Sequence, residues 1–205
     1  KDILNFTNRS LRNLKMELLY GLLVHKSTDL LSKNGEVLYA NLIRLKEEGF
    51  VQKIGVSVYQ PEEIDLLIER FDLDLIQAPF NVIDGRMLNS GIMQKLSNSK
   101  VELHVRSIFL QGLLLMKNID RPTKFDKWSS TWKIWHEWLN DSKISAVGAC
   151  LNYALSCKEI SKVIVGVESL VQLKEIHQSI SSSDILVPED LMINDPMLLN
   201  PSNWV

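Results

Sequence analysis

The feature that most constrains this chain is an alternation. Five short segments with strand-like apolar patterning, at about residues 20–25, 53–58, 74–79, 101–107 and 162–166, are each followed by a segment with helical patterning. Lys53 to Tyr59 sets Ile54, Val56 and Val58 on one side, the two-residue period of a strand. Pro61 then opens a helix at its first turn, Glu62 and Glu63 suit its positive end, and Ile64, Leu67, Ile68 and Phe71 form its apolar stripe. Leu73 to Phe80 reads as a strand bounded by Pro79, and Asn89 to Leu96 as one short helix. Val101, Leu103 and Val105 alternate with Glu102, His104 and Arg106, and Val163-Ile164-Val165 reads as a buried strand ended by Gly166. Further helices are expected from Asn8, over Gly35 to Glu48, over Ser145 to Ser156 and over Leu170 to Ile180, with a loop-rich tail from about residue 182.

Strands joined through helices run parallel, because a tight turn can only reverse the chain. The expectation is therefore an α/β fold with a parallel sheet covered by helices. An open doubly wound sheet and a closed barrel both fit this count. No GxGxxG or GxxxxGK phosphate loop follows any strand, which weighs against the nucleotide-binding open sheets.

Charge and hydropathy narrow the partners. The formal net charge is −2, so there is no basic surface for nucleic acid. The apolar run Ile108 to Met116 is far shorter than the roughly 18 residues of a membrane span. Cys150 and Cys157 would sit two helical turns apart, roughly 10 Å, too far for a disulfide. Free thiols suit a reducing cytoplasm.

Barrel enzymes place their chemistry at the C-terminal ends of strands. Those ends read His25; Ser57-Val58-Tyr59; Gln77 with Asn81; Arg106-Ser107; and Gly166 with Ser169. The set is polar, carries charge only at Arg106, and contains neither a metal-ligand cluster nor the paired acids of a glycosidase. It suits a flat, neutral, hydrogen-bonding guest. Ser169-x-x-Gln172 also has the form of a capping box, which would account for both residues without a ligand. Trp128, Trp132, Trp135 and Trp138 fall on one helical face, which reads as packing.

Several stretches, in order, resemble the aldo-keto reductases. Leu22-Leu23-Val24-His25 resembles the strand that delivers that family's active-site histidine. Lys53 to Ser57 with Pro61-Glu62-Glu63-Ile64, Ile76 to Asn81, Ser107 to Leu113, and Val163 to Ser169 with Gln172-Leu173 resemble the elements that follow it. Gln111-Gly112 and the valine-rich last strand look like a bacterial branch associated with surface polysaccharide or unusual sugar synthesis. The resemblance implies a (β/α)₈ TIM barrel, of which this chain supplies about strands 4 to 8. It implies an oxidoreductase that uses NADP or NAD to reduce a small-molecule carbonyl, or to oxidise an alcohol. His25 would be catalytic, hydrogen-bonding the substrate carbonyl. Ser57 and Gln77 would hold the nicotinamide carboxamide, and Arg106 falls where many members place an aromatic ring. Ser107 would lie along the pyrophosphate, with Gly166, Ser169, Gln172 and Glu175 toward the adenosine.

The chain departs from the pattern at Val58 and at Ile176, where many members have asparagine. The family's catalytic tyrosine, aspartate and lysine belong to elements before the first helix seen here, so a longer polypeptide is expected. The alternatives are a catalytically weak nicotinamide-binding module of the same fold and an unrelated barrel enzyme.

Overall fold

The computed structural model describes residues 2–181 and 185–204. Residues 182–184, where the expected tail begins, lie outside the described residues. In chain order the elements are α1 (Asp2–Leu14), β1 (Leu19–Val24), α2 (Ser27–Leu31), α3 (Gly35–Glu47), β2 (Val51–Ser57), α4 (Pro61–Arg70), β3 (Leu75–Pro79) and α5 (Arg86–Asn89). They continue with α6 (Ile92–Asn98), β4 (Glu102–Arg106), α7 (Ser129–Ser142), α8 (Ala146–Ser156), β5 (Ile160–Val163), α9 (Leu170–Gln178) and α10 (Pro196–Leu199). The five strands form one sheet in the order β1-β2-β3-β4-β5. β1 and β2 pair in parallel from Leu19↔Val51 to Val24↔Val56, and β2 and β3 from Gly55↔Leu75 to Ser57↔Gln77. The last pairing depends on glycine: a Cβ at Gly55 would meet the Leu75 carbonyl oxygen at 2.1 Å.

The chain divides into two compact units, residues 1–78 with 92–104 and residues 79–91 with 105–205. In the first, Leu42, Ile54, Ile64, Leu67, Leu75 and Leu103 are fully buried. Pro61 stands at the first turn of α4, and Glu63 Oε1 accepts from the Gln60 amide at 2.9 Å, so two sequence signals set this helix start.

Near the N-terminal ends of its strands this unit ties down a carboxylate. Tyr20 Oη donates to both Glu102 oxygens at 2.8 and 2.7 Å, Lys53 Nζ donates to Oε1 at 2.5 Å, and His104 Nε2 lies 3.0 Å from Oε2. Burial raises the Glu102 pKa, but the hydrogen bonds from Lys53, Tyr20 and His104 and the Lys53 charge outweigh it, bringing it from 4.5 to about 2. A carboxylate whose folded pKa is depressed contributes stability that is fully present above its unfolded pKa. That contribution is lost as the pH falls toward 2. Glu102→Gln should therefore be less stable than wild type at neutral pH, and the gap should close between about pH 4.5 and 2. Urea titrations across that window test this. A gap that stays constant to the acid end would remove Glu102 as its source.

In the second unit the tryptophans pack, as their spacing suggests. Trp132, Trp135 and Trp138 are buried, and their indole N–H groups donate to Phe125 O (2.9 Å), Leu114 O (3.1 Å) and Leu186 O (3.0 Å). Trp128, just before α7, donates to Asp195 Oδ2 at 2.9 Å. Two of these four bonds reach the tail, which carries α10 and short 3₁₀ turns rather than plain loop. α8 is buried from Val147 to Ala154, and Ser145 caps it by accepting from the Gly148 amide at 3.0 Å.

Several sequence expectations need correction. The helix expected over Asn89 to Leu96 is α6, which starts only at Ile92; Gly91 at φ +70° separates it from the short α5, which ends at Asn89. The polar residues after β1 form the short helix α2, which is not among the expected helices, and the first helix begins at Asp2 rather than near Asn8. The last strand is Ile160–Val163, earlier than the expected 162–166, although the Ile164 amide still donates to Val105 O at 2.8 Å. Nor is it buried: Ile164 is 40% exposed, and α9 buries none of its residues. Among the described residues β5 ends the sheet order, with a neighbouring strand on one side only.

Candidate functional site

Strand register delivers the first group of candidates. Val24, the last residue of β1, pairs with Val56, and Ser57, the last residue of β2, pairs with Gln77 in β3. His25, Ser57 and Gln77 therefore stand at the C-terminal ends of three adjacent strands of the first unit. Ser57 is buried, Gln77 half-buried and His25 exposed. The Val58 amide donates to Gln77 O at 2.9 Å, continuing the ladder one residue past β2 and fixing Ser57 between bonded neighbours. Val24 is buried immediately before the exposed His25, so the imidazole is carried on an anchored strand end.

The second group surrounds a cavity of about 570 Å³ within the second unit. Arg106, Ser107, Gly166, Gln172 and Glu175, all singled out from the sequence, line it. Arg106 NH1 donates to Ser107 Oγ at 3.3 Å. Ser169 is absent from the lining; its hydroxyl caps α9 by accepting from the Gln172 amide at 3.2 Å. Gln172 Oε1 in turn accepts from the Glu168 amide at 2.7 Å, one residue earlier than a capping box requires. Gln172 thus both lines the cavity and fastens the α9 N-terminus.

The loop after β4 shapes one wall. Ser107 (φ 61°), Leu110 (φ 46°), Gln111 (φ 54°) and Gly112 (φ 83°) all lie in the left-handed region. Three of these are not glycine, and each such residue costs roughly 1–2 kcal/mol. Strain of this kind persists where surrounding bonds over-determine the backbone. Here Leu110 N donates to Ser107 O at 2.8 Å, Leu113 N to Leu110 O at 3.0 Å, and Trp135 Nε1 holds Leu114 O. The resemblance marks Ser107 to Leu113 as a loop following its strand, but the sequence carries no signal of the strain in it beyond Gly112. Phe109, Leu115, Val147 and Val167 supply apolar wall that the strand-end candidates do not include, and Glu168 adds a second carboxylate beside Glu175. A half-apolar cavity of this size, with one guanidinium and convergent polar groups, suits an extended organic ligand. No group of His, Cys, Asp and Glu placed to share a metal ion occurs among the described residues. No helix is long and apolar enough to cross a membrane among those residues.

A sequence profile described as the aldo/keto reductase family matches residues 1–191. No curated protein matches the sequence significantly. Among solved structures, the fold is similar to an aldo-keto reductase from Bacillus halodurans in its apo form. The TM-score is 0.71 at 17% identity, covering 90% of this chain and 64% of that one. Its holo form matches with TM-score 0.70 at 17% identity, over 89% and 62%. A glycerol dehydrogenase from Gluconobacter oxydans matches with TM-score 0.60 at 16% identity, over 90% and 67%. The chain thus spans less than two thirds of the length of the Bacillus protein.

Proposed function

The chain belongs to the aldo/keto reductase family, and from that premise we propose that it serves the reversible NAD(P)H-dependent reduction of a small-molecule carbonyl to an alcohol. In this reading its strands correspond to the fourth to eighth of an eight-stranded barrel, and the site lies at their C-terminal ends. The observation that carries it is the cavity beyond β4 and β5, which gathers Arg106, Ser107, Gly166, Gln172 and Glu175 beside a strained loop. Its volume, apolar wall and hydrogen-bonding rim fit part of an extended dinucleotide.

When bound, the nicotinamide supplies or accepts the hydride. The residues of this chain do the rest. Ser57 and Gln77 hold the carboxamide and so fix which face of the ring is presented. Arg106 and Ser107 take the negatively charged middle of the cofactor, and Gly166, Gln172 and Glu175 take the adenosine. Ser169 acts at one remove, by capping the helix that carries Gln172 and Glu175. His25 donates a hydrogen bond to the substrate oxygen, where negative charge grows as hydride arrives. Titration of the protein with NADPH and NADH, followed by tryptophan fluorescence, tests the reading. Absence of saturable binding by either would overturn it.

The lining also bears on cofactor choice. It carries Glu168 and Glu175 against the single cation Arg106, and no Lys or Arg occurs in α9 before Lys174. A 2′-phosphate would lack a charge-assisted arginine fork and would meet two carboxylates. NADPH is therefore expected to be favoured over NADH by less than about a hundredfold, or about 2.7 kcal/mol. A larger preference at matched ionic strength would require a basic pocket outside this lining.

A second reading is a nicotinamide-binding module with weak or no turnover, since Tyr20, Tyr39 and Tyr153 do not stand in for the catalytic tyrosine that the resemblance places before α1. Tyr20 is committed to Glu102, Tyr39 Oη donates to Asp72 O at 2.9 Å, and burial pushes the Tyr153 phenol pKa up, disfavouring its ionisation. None of these three is poised as a proton donor at the proposed site. Saturable cofactor binding without reduction of any of a panel of aldehydes would support this second reading over the first.

A further inference from the structure

Arg121, in the second unit, takes no part in the site described above, yet it is only 7% exposed. It follows the 3₁₀ turn Asn118–Asp120 and lies against α7. NH1 donates to Asn118 Oδ1 at 2.6 Å, and NH2 donates to Met116 O at 3.2 Å and to His136 Nε2 at 3.1 Å. The guanidinium carbon stands 4.2 Å from the centroid of the Trp132 ring. A guanidinium can only donate, so His136 Nε2 must be the acceptor and the imidazole is neutral, with its proton on Nδ1. Burial and the Arg121 charge both lower the His136 pKa, which keeps it so at neutral pH.

Every acceptor of this buried cation is therefore neutral, and no carboxylate forms an ion pair with it among the described residues. Three hydrogen bonds use three of the five guanidinium N–H groups; two remain, one of them Nε, which is buried without an acceptor. Buried charge is ordinarily compensated by a counter-charge, and a buried donor without an acceptor is costly. A cavity of about 410 Å³ opens beside it, lined also by Asn118, Ser129, Lys133 and His136. Lys133 brings a second cation. Ser129, the first residue of α7, follows directly on the 3₁₀ helix Thr123–Trp128, and its amide is taken by Asp126 O, which leaves its hydroxyl as the polar group it brings to the lining. Two carboxylates share the lining and oppose an anion: Glu137, 3.9 Å from Lys133 Nζ, and Asp126, which acts on Arg121 only at longer range.

We propose that this cavity is a binding site for a small oxyanion, a phosphate or carboxylate group, anchored by Arg121 with Lys133 as a further donor. The anion supplies the counter-charge that the fold leaves out. Asp126 limits the affinity, so millimolar rather than nanomolar binding is expected.

The test uses the whole chain with inorganic phosphate and, separately, acetate, each against chloride at matched ionic strength. At a hundred times the dissociation constant, ligand linkage should raise Tm by about 5 to 10 °C. The rise should vanish in Arg121→Gln. In the unaltered protein the Trp132 indole and His136 ring resonances should shift saturably with the same anion, a readout that holds even if the variant fails to fold. A response to phosphate alone assigns a phosphate group, and a response to acetate a carboxylate. Stabilisation that persists in Arg121→Gln would locate the anion elsewhere, for instance in the cavity beyond β4 and β5. That result, or silent Trp132 and His136 resonances under both anions, would overturn the proposal.

Discussion

His25→Ala is expected to lower turnover by on the order of 10²-fold in the active enzyme, while cofactor affinity changes little, as for loss of one positioned donor in the transition state. The expectation follows from where the residue stands. The strand that carries it is fixed up to buried Val24, which pairs with Val56, and the imidazole projects beyond that point into the open. The residues assigned to the cofactor are all others, so alanine should remove a substrate contact and leave the cofactor's contacts in place. Comparing kcat at saturating cofactor with the cofactor dissociation constant separates these effects. If affinity collapsed while turnover at saturation stayed normal, His25 would be a cofactor residue and its assigned role would be wrong.

Trp135→Ala should cost about 3–5 kcal/mol of folding stability, the usual range for deleting a large buried aromatic. Trp135 is fully buried, its ring lies 5.5 Å from that of Trp138, and its N–H is the partner of Leu114 O. The substitution leaves a cavity and also an unsatisfied carbonyl at the end of the strained loop Ser107–Gly112. Trp135→Phe keeps most of the volume and loses the hydrogen bond, so it should cost about 1–2 kcal/mol. Urea denaturation of the two variants measures both quantities. Because the loop forms a wall of the cavity proposed to take the cofactor, cofactor binding by the alanine variant should weaken by more than that of the phenylalanine variant. Equal stability losses in the two would mean that packing around Trp135 carries little of the energy.

The alternation of strands and helices, the start of α4 and the strand-end candidates were all legible from local pattern. A two-residue apolar period defines a strand whatever its neighbours are, and a proline with two glutamates marks a helix start on its own. The strand ends follow once the strands are located. Arg106 and Ser107 at the end of β4 and Gly166 beyond β5 follow in this way, whereas Gln172 and Glu175, which line the same cavity from α9, follow only from the resemblance to the aldo-keto reductases. Ser169 was named by the same logic but caps a helix, because a hydroxyl at that offset serves either role.

The properties that escaped the sequence depend on chain segments that are distant in sequence or on backbone shape. Burial of β5 depends on what lies on both sides of it, and its apolar residues read the same whether covered or half-open. The left-handed run at Ser107, Leu110 and Gln111 contains no glycine until Gly112, so the residues that bear the strain do not announce it. Glu102 acquires its depressed pKa from Tyr20, 82 residues away in sequence, and from Lys53, 49 residues away. Arg121 becomes a buried, uncompensated cation only because α7 brings Trp132 and His136 against it. The sequence by itself determined the order of the elements and the chemical types available at the strand ends, because both are written in short-range periodicity. Only the tertiary structure decided which charges are neutralised, which strand stays open and where the backbone is strained, because burial and electrostatics are set by contacts between distant segments.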